Sequence, residues 1–244
     1  RKEGVYLDLP IAVGIIKASS DVIKTEIDDY VFIGELSLDG NLRPVNGIMP
    51  LLISASLSGA KKFIIPYGNR KEAEYVGDAE VYACKSLNEV LGHISGAATV
   101  ERVECSPYVP AEDKDFCDDL KYVKGQAAAK RALEVAVSGG HNILLVGSPG
   151  AGKTMLARCI PSIMPDMSFA EALETTKIHS IAGALKDGTG IVSSRPFYTP
   201  HHTASNVALI GGGSSAKPGV ISLAHNGVLY LDEMPEYPRS TLEC

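Results

Sequence analysis

The stretch Gly147-Ser148-Pro149-Gly150-Ala151-Gly152-Lys153-Thr154 has the spacing GxxxxGK[ST], and it decides how the C-terminal half of this chain is expected to fold. The apolar residues 142–146 directly before it predict a short buried strand, and a helix is predicted to begin at Lys153. A strand, a glycine-rich loop and a helix in this order are typical of an α/β domain with a parallel sheet.

The glycines of this loop suit the binding of phosphate groups, because backbone N–H groups approach a ligand closely where no Cβ intervenes. The ammonium of Lys153 is expected to reach the β- and γ-phosphates of a nucleotide, and the hydroxyl of Thr154 to hold Mg²⁺. A glycine-rich turn without a ligand is the alternative, and the flanking strand and helix argue against it. The predicted nucleotide-contacting residues are Gly147, Ser148, Pro149, Gly150, Ala151, Gly152, Lys153, Thr154 and Asp232.

A second apolar run, residues 228–231, predicts another buried strand, which ends at Asp232 and Glu233. Open α/β sheets bind ligands at the carboxyl ends of their strands, so Asp232 is predicted to join Thr154 as a Mg²⁺ ligand. Glu233 is predicted to orient and polarise the attacking water, which makes Glu233 and Lys153 the predicted catalytic residues. Together with the glycine loop, this pair predicts an ATPase that uses ATP and Mg²⁺.

The alternation of helical and strand patterns along the sequence, with one interruption, predicts two domains. Residues 1–96 alternate helical and strand patterns, with the strongest hairpin signal at Asp39-Gly40. Residues 97–117 lose this alternation, and their prolines and the charged run 112–115 predict an exposed linker. The alternation restarts after the linker, so the predicted second domain covers residues 118–244.

The composition of the 244-residue chain, 45% hydrophobic and 21% charged, is that of an ordinary globular protein. Because 23 Lys and Arg face 29 Asp and Glu, the net charge is −6, and any nucleic-acid contact must use a local patch or a pore formed by assembly. Five cysteines without CxxC spacing argue against disulfides or a zinc site and predict a cytoplasmic location. The longest apolar run, residues 9–16, is about half of a membrane span, so no membrane partner is predicted.

Residues 116–236 resemble the AAA+ module of the magnesium-chelatase-like ATPases, specifically the ComM/YifB family. The matching stretches are residues 139–145, 147–157, 176–180, 195–197, 200–203, 211–213 and 218–233. The N-terminal half is similar to the catalytic domain of Lon proteases over residues 34–40 and 60–66. The resemblance implies an α/β fold in which a partial Lon-protease-like α/β domain precedes the N-terminal part of a P-loop AAA+ domain.

The resemblance also implies a hexameric ring motor with branch-migration helicase activity on single-stranded or branched DNA. The family's sensor residue, arginine finger and lid would lie beyond residue 244, so the isolated chain is expected to hydrolyse ATP slowly. One alternative is a chelatase subunit that drives metal insertion into a tetrapyrrole, against which the Lon-like half argues. The other is a regulatory nucleotide-binding protein without motor activity, against which Lys153, Asp232 and Glu233 argue.

The Lon-like half lacks the Ser–Lys dyad that peptide cleavage would need. The resemblance puts the nucleophile position in Val5-Tyr6-Leu7, which contains no serine, and the lysine position in residues 47–51, which contain no lysine. We therefore expect a docking or scaffold domain without peptidase activity.

Residues 183–213 form a long insert after a helix whose start is predicted by a capping box at Ser168 and Glu171. Long segments of this kind inside a compact domain are usually functional, and in the resembled clade such an insert projects toward the pore. Its cationic and planar side chains suit phosphates and bases, so the predicted DNA contacts are Arg195, Tyr198, His201 and His202. The family commonly has a basic residue where this chain has Tyr198.

The adjacent histidines, His201 and His202, would point to opposite faces of an extended chain, which is poor geometry for holding one ion. No metal other than Mg²⁺ is therefore predicted.

Overall fold

The computed structural model describes residues 4–20, 22, 23, 25–111, 118–186, 188–213 and 216–243. The chain divides into two compact units, whose bounds differ from those of the predicted domains. Unit 1 comprises Arg1–Tyr108 and Thr176–Val192, and unit 2 comprises Val109–Thr175 and Ser193–Cys244. Residues 176–192, predicted as part of the second domain, therefore group with the N-terminal half.

Unit 1 is built on a parallel three-stranded sheet in the order β1-β4-β5 and a separate antiparallel pair, β2 and β3. Its strands are β1 (Tyr30–Phe32), β2 (Glu35–Leu36), β3 (Leu42–Arg43), β4 (Lys62–Pro66) and β5 (Glu80–Cys84). Its helices before residue 108 are α1 (Asp8–Ser19), α2 (Ile48–Leu57), α3 (Arg70–Ala73) and α4 (Leu87–Ser95). The parallel strands confirm the predicted α/β class.

The hairpin signal at Asp39-Gly40 produces the turn between β2 and β3, where Glu35 pairs with Arg43. Gly40 adopts φ +83°, a left-handed conformation that glycine enters without steric cost. The Asp39 carboxylate accepts hydrogen bonds from Ser37 and Asn41, and the Ser37 hydroxyl, its largest influence, holds the pKa of Asp39 below its ordinary value.

Residues 100–106, which the sequence analysis assigned to a linker, pack on unit 1. The Val103 amide donates to the Val81 carbonyl of β5 at 2.8 Å, and Val103 is only 4% exposed. The Ser106 amide donates to the Glu74 carbonyl at 2.9 Å. Residues 112–117 of the predicted linker lie outside the described residues.

A buried polar cluster connects residues 176–192 to the rest of unit 1. The Ser180 hydroxyl donates to the Glu72 carboxylate and accepts from the Gly47 amide at 3.1 Å. The Asn69 amide donates to the other carboxylate oxygen of Glu72 at 3.0 Å and to the Val45 carbonyl at 2.9 Å. Burial raises the pKa of Glu72 above its ordinary value.

The described part of unit 2 surrounds an apolar cluster that includes Leu133, Leu156 and Ile160. Two pairs of very short strands accompany it, β6 with β9 in parallel and β7 with β8 in antiparallel. The strands are β6 (Phe197–Tyr198), β7 (Gly211–Gly212), β8 (Lys217–Pro218) and β9 (Val228–Leu229). The helices are α5 (Ala127–Gly139), α6 (Lys153–Arg158), α7 (Ile160–Ile163), α8 (Phe169–Ala182), α9 (Asn206–Ile210), α10 (Val220–Leu223) and α11 (Arg239–Leu242), and the division between the units falls within α8.

The prediction of a buried strand at residues 142–146 is wrong for this structure, which assigns no strand there. Leu144 is 71% exposed and Val146 is 85% exposed. A strand exists only where a neighbouring strand completes its hydrogen bonds, and within the described residues no strand pairs with this segment. The predicted buried strand 228–231 is found only in part, because the strand covers Val228–Leu229 and residues 228–231 are half-buried.

No helix in the described part of the chain is both long enough and apolar enough to cross a membrane.

Candidate nucleotide-binding site

The glycine loop lies at the start of α6, on the surface of unit 2, and residues 146–151 are exposed. Gly150 and Gly152 adopt φ +77° and +84°, which a residue with a Cβ enters only with strain. Two of the three loop glycines therefore stand where the backbone is left-handed, and Gly147 is not one of them. Residues 147–149 and Ala151 make up the rest of the loop.

The Lys153 ammonium folds back over this loop. Its Nζ donates to the carbonyl oxygens of Gly147 at 2.9 Å and Ser148 at 3.0 Å. These two carbonyl contacts hold the positive charge at the mouth of the loop, where an anionic ligand would be bound. A neighbouring side chain also contacts the loop, since the Gln126 amide lies 3.4 Å from the Ala151 carbonyl.

Thr154 and Asp232 are 78 residues apart in sequence and in direct contact in the structure. The Thr154 hydroxyl donates to Asp232 Oδ2 at 3.1 Å. The glycine loop and the acidic residue that follows β9 were each predicted separately, and they are next to each other in the structure. Hydroxyl and carboxylate oxygens are the ligands that Mg²⁺ prefers, so this donor pair fits the cation.

Tyr230 is a third member of this cluster and is not among the predicted site residues. Its hydroxyl donates to Asp232 Oδ1 at 2.9 Å and lies 3.5 Å from Thr154 Oγ1. Burial, the largest influence, raises the pKa of Tyr230 above its ordinary value. Its position two residues before Asp232 was a usable signal, because residues two apart on an extended chain lie on the same side of it.

Glu233 follows Asp232 in a left-handed conformation with φ 52° and ψ 47°, which is uncommon for a residue other than glycine. Its amide donates to Asp232 Oδ1 at 3.1 Å. Its side chain is 70% exposed, and Glu233 Oε2 lies 3.9 Å from Nδ1 of His202. The carboxylate is therefore accessible to solvent beside the acidic end of β9.

Arg195, a predicted DNA contact, is engaged with its own protein. Its guanidinium donates to the carbonyl oxygens of Pro165 at 2.7 Å, Asn226 at 2.8 Å and Asp166 at 3.3 Å, and to the Glu171 carboxylate at 3.0 Å. Its side chain is only 12% exposed. These contacts are typical of an arginine that holds segments of a fold together.

The capping box at the start of α8 is present as predicted. The Ser168 amide donates to the Glu171 carboxylate at 2.8 Å, and the Glu171 amide donates to the Ser168 hydroxyl at 3.3 Å. The Ser168 amide, the largest influence, holds the pKa of Glu171 below its ordinary value, and Arg195 acts in the same direction.

The other predicted DNA contacts lie on or near β6. Tyr198 is half-buried in this strand, and burial raises the pKa of its hydroxyl. The His201 and His202 rings lie with their centroids 4.1 Å apart and their planes tilted by 33°, instead of pointing to opposite faces, because the chain turns here and is not extended. His201 is exposed and bonds to Thr203 at 2.8 Å, whereas His202 packs edge-on against Tyr237 at 6.4 Å.

Comparison with known proteins places this site in a class of proteins. The family described as magnesium chelatase, subunit ChlI, matches residues 119–244, just over half of the chain. A second family, described as subunit ChlI of Mg-chelatase, matches residues 1–69.

Similarity to individual proteins identifies the family within this class. The uncharacterized protein YifB of Escherichia coli is 41% identical, and the competence protein ComM of Haemophilus influenzae is 40% identical. Each alignment covers 100% of this chain but only 47% and 48% of the relative, so the chain spans about half the length of the curated relatives that it matches. The chain belongs to the ComM/YifB family of magnesium-chelatase-like AAA+ proteins.

The N-terminal half has a relative of its own. Lon protease 2 of Bacillus subtilis is 40% identical over 96 residues, which are 37% of this chain and 17% of that protein. At the predicted dyad positions, Tyr6 is 42% exposed and Met49 is fully buried in α2. Neither side chain is a serine or lysine, and the absence of peptidase activity stays a prediction.

Proposed function

We propose that this chain is the nucleotide-binding part of an ATPase, with ATP bound at the glycine loop and hydrolysed at the acidic end of β9. The observation that carries the proposal is the direct contact between Thr154 and Asp232 at 3.1 Å. The loop that would bind phosphate and the carboxylate that would bind Mg²⁺ are 78 residues apart in sequence, and their contact puts at one site the groups that a nucleotide with Mg²⁺ requires.

Lys153 would bind the phosphates by exchanging its two loop carbonyls for phosphate oxygens, which are stronger acceptors because they carry charge. Thr154 and Asp232 would hold Mg²⁺, whose charge would offset the negative charge of the phosphates. Glu233 would accept a hydrogen bond from the attacking water and align it, since its carboxylate is exposed beside Asp232.

The first experiment measures binding of a fluorescent ATP analogue to the full-length protein. Lys153→Ala should abolish binding, because it removes the cation at the mouth of the loop, whereas Lys121→Ala removes an exposed lysine elsewhere in unit 2 and should have no effect. Unchanged affinity in the Lys153 variant would refute the assignment of this loop.

The second experiment separates hydrolysis from binding. Glu233→Gln should retain the analogue but lose most of the ATP turnover, because it preserves shape and removes the carboxylate that orients water. Glu236→Gln, three residues later and also exposed, is the matched control. Normal turnover in the Glu233 variant would move the catalytic role to another residue.

We further propose that ATP hydrolysis drives movement on single-stranded or branched DNA in a hexameric, cytoplasmic assembly. Support comes from the resemblance to DNA motors and from the printed name of the Haemophilus influenzae relative, a competence protein. Because the chain carries a net charge of −6, DNA binding would have to be local, and six copies around a pore would multiply a few contacts.

The DNA contact is best tested at His201, which is exposed and planar, while Arg195 holds the fold together. His201→Ala should weaken binding of fluorescently labelled single-stranded and branched DNA by about tenfold, since stacking on one base contributes about 1–3 kcal/mol. His225→Ala removes another partly exposed histidine and serves as the control. Equal DNA affinity in all three proteins would exclude His201 as a contact.

The chelatase-type alternative rests on the description of the matched families. The two functions separate in one assay of the full-length protein. DNA should increase the ATPase rate if the protein is a DNA motor, whereas stimulation by porphyrin with a chelatase partner, and not by DNA, would favour the alternative.

A further inference from the structure

Four side-chain oxygen atoms, from Thr154, Tyr230 and Asp232, form a hydrogen-bonded cluster between the residues after β9 and the start of α6. Asp232 Oδ2 accepts from Thr154 at 3.1 Å, and Asp232 Oδ1 accepts from Tyr230 at 2.9 Å. Thr154 and Asp232 are the Mg²⁺ ligands of the proposed function, but Tyr230 has no role in that reaction. Its hydroxyl is therefore the part of the cluster that the proposed function does not explain.

The Tyr230 ring is held in place independently of Asp232. Its amide donates to the Tyr198 carbonyl at 2.8 Å, which continues the parallel pairing of β6 and β9. The ring stacks on Phe197 with centroids 6.4 Å apart and planes 22° apart. A ring fixed at both its backbone and its face presents its hydroxyl at one point.

The protein donors to Asp232 among the described contacts divide between its two oxygens. The Thr154 hydroxyl has one proton and two lone pairs, so it can donate to Asp232 Oδ2 while a lone pair faces a cation. The Tyr230 hydroxyl and the Glu233 amide both donate to Oδ1 and hold that oxygen in place. They would keep Oδ2 directed at the cation.

We propose that Tyr230 is a positioning residue for the cation site, whose hydroxyl fixes the Asp232 carboxylate so that Oδ2 faces Mg²⁺. The inference rests on the proposed function, because it assumes that nucleotide and Mg²⁺ bind at this cluster. It assigns to Tyr230 a role in cation affinity and none in nucleotide contact. Residues that orient metal ligands in this way commonly change metal affinity by 10- to 100-fold when they are replaced.

Tyr230→Phe tests the proposal, because it removes the hydroxyl and keeps the ring that stacks on Phe197. Binding of a fluorescent ATP analogue to the full-length protein is titrated with MgCl₂, and separately measured in EDTA. We expect about a tenfold increase in the Mg²⁺ concentration that gives half-maximal binding, with affinity in EDTA unchanged. A thermal melt in EDTA checks that both proteins are folded.

Tyr237→Phe is the matched control in the same unit. Its hydroxyl donates to the Pro200 carbonyl at 2.6 Å, so the substitution also removes one tyrosine hydrogen bond, but it does not contact Asp232. Its Mg²⁺ dependence should equal that of the wild type.

The outcomes distinguish the inference from the function on which it rests. If the wild type binds the analogue and Tyr230→Phe shows the same Mg²⁺ dependence, the inference is wrong and the proposed function stands. A lowered melting temperature with unchanged Mg²⁺ dependence would reduce Tyr230 to a packing role. If the wild type binds no nucleotide with or without Mg²⁺, the proposed function fails and the inference fails with it.

Discussion

Two apolar segments with similar sequences have opposite environments in this protein. Strand β4 in unit 1 contains Phe63, Ile64 and Ile65, all fully buried, and pairs with β1 on one side and β5 on the other. The segment 142–146 in unit 2 is equally apolar, yet Leu144 and Val146 are mostly exposed and the described residues offer it no partner strand. An apolar run thus predicts a strand only where neighbours complete its ladder.

The two units also differ in the kinds of contact that stabilise them. Among the described residues, unit 1 has two clusters of buried apolar side chains, whereas unit 2 has one. In unit 2, hydrogen bonds from the Arg195 side chain supplement this core. They join the segment at the start of β6 to the first turn of α8 and to the turn before β9. We expect unit 1 to depend on apolar packing, and unit 2 to depend more on a few polar contacts.

The largest effect should follow from Phe63→Ala. Deleting this buried ring leaves a cavity in the centre of the unit 1 sheet, so the free energy of unfolding should fall by about 3–5 kcal/mol. Urea unfolding followed by far-UV circular dichroism measures the change.

Leu144→Ala is the control for that comparison, because it removes an apolar side chain from the exposed segment. Its effect should stay within about 0.5 kcal/mol. A loss of several kcal/mol at Leu144 would mean that this segment is buried in solution, and the contrast between the two segments would disappear.

A smaller loss, about 2–3 kcal/mol, is expected for Arg195→Ala. The substitution removes a charged donor from three carbonyl oxygens and the Glu171 carboxylate, and the side chain is mostly buried. Urea unfolding reports the change, with the exposed Arg131→Ala as the matched control. Wild-type stability combined with weaker DNA binding would instead assign Arg195 to the DNA contact.

The buried carboxyl of Glu72 gives a pH-dependent prediction for unit 1. Because burial raises the pKa of Glu72 in the folded state, its protonated form is favoured there, and its contribution to stability declines as the pH rises from its ordinary value through the raised one. Glu72→Gln removes this decline. The difference in unfolding free energy between variant and wild type should therefore move in favour of the variant between pH 4 and pH 8.

Urea unfolding at several pH values gives that difference, and Glu101→Gln, at an exposed position of the same unit, is the control. A difference that is constant with pH, or that moves the other way, would contradict a raised pKa at Glu72.

The smallest expected effect is a difference between the urea concentrations at which the two units unfold. Cys84 of unit 1 is fully buried and Cys159 of unit 2 is 1% exposed, and burial raises the pKa of both thiols, that of Cys84 to about 12. Alkylation at increasing urea, mapped by mass spectrometry, should modify Cys159 at roughly 1 M less urea than Cys84, because its unit has the smaller core. The exposed Cys105 should react without urea. Labelling of Cys84 before Cys159 would reverse the expected order of stability.

Several features of the protein follow from local sequence alone. Gly150 and Gly152 of the loop stand where φ is positive, the hairpin forms at Asp39-Gly40, and the capping box joins Ser168 to Glu171. Each depends on residues within a few positions of one another, so the conformational preferences of the residues are sufficient to predict it.

The tertiary structure alone decided the remaining features. It joined Thr154 to Asp232 across 78 residues, added Tyr230 to that pair, and linked Ser180 to Glu72 across 108 residues. It also buried the guanidinium of Arg195, which the sequence suggested was free for DNA, and left residues 142–146 without a partner strand in the described chain. Such contacts depend on how segments that are distant in sequence pack against one another, and the local spacing of residues does not predict that packing.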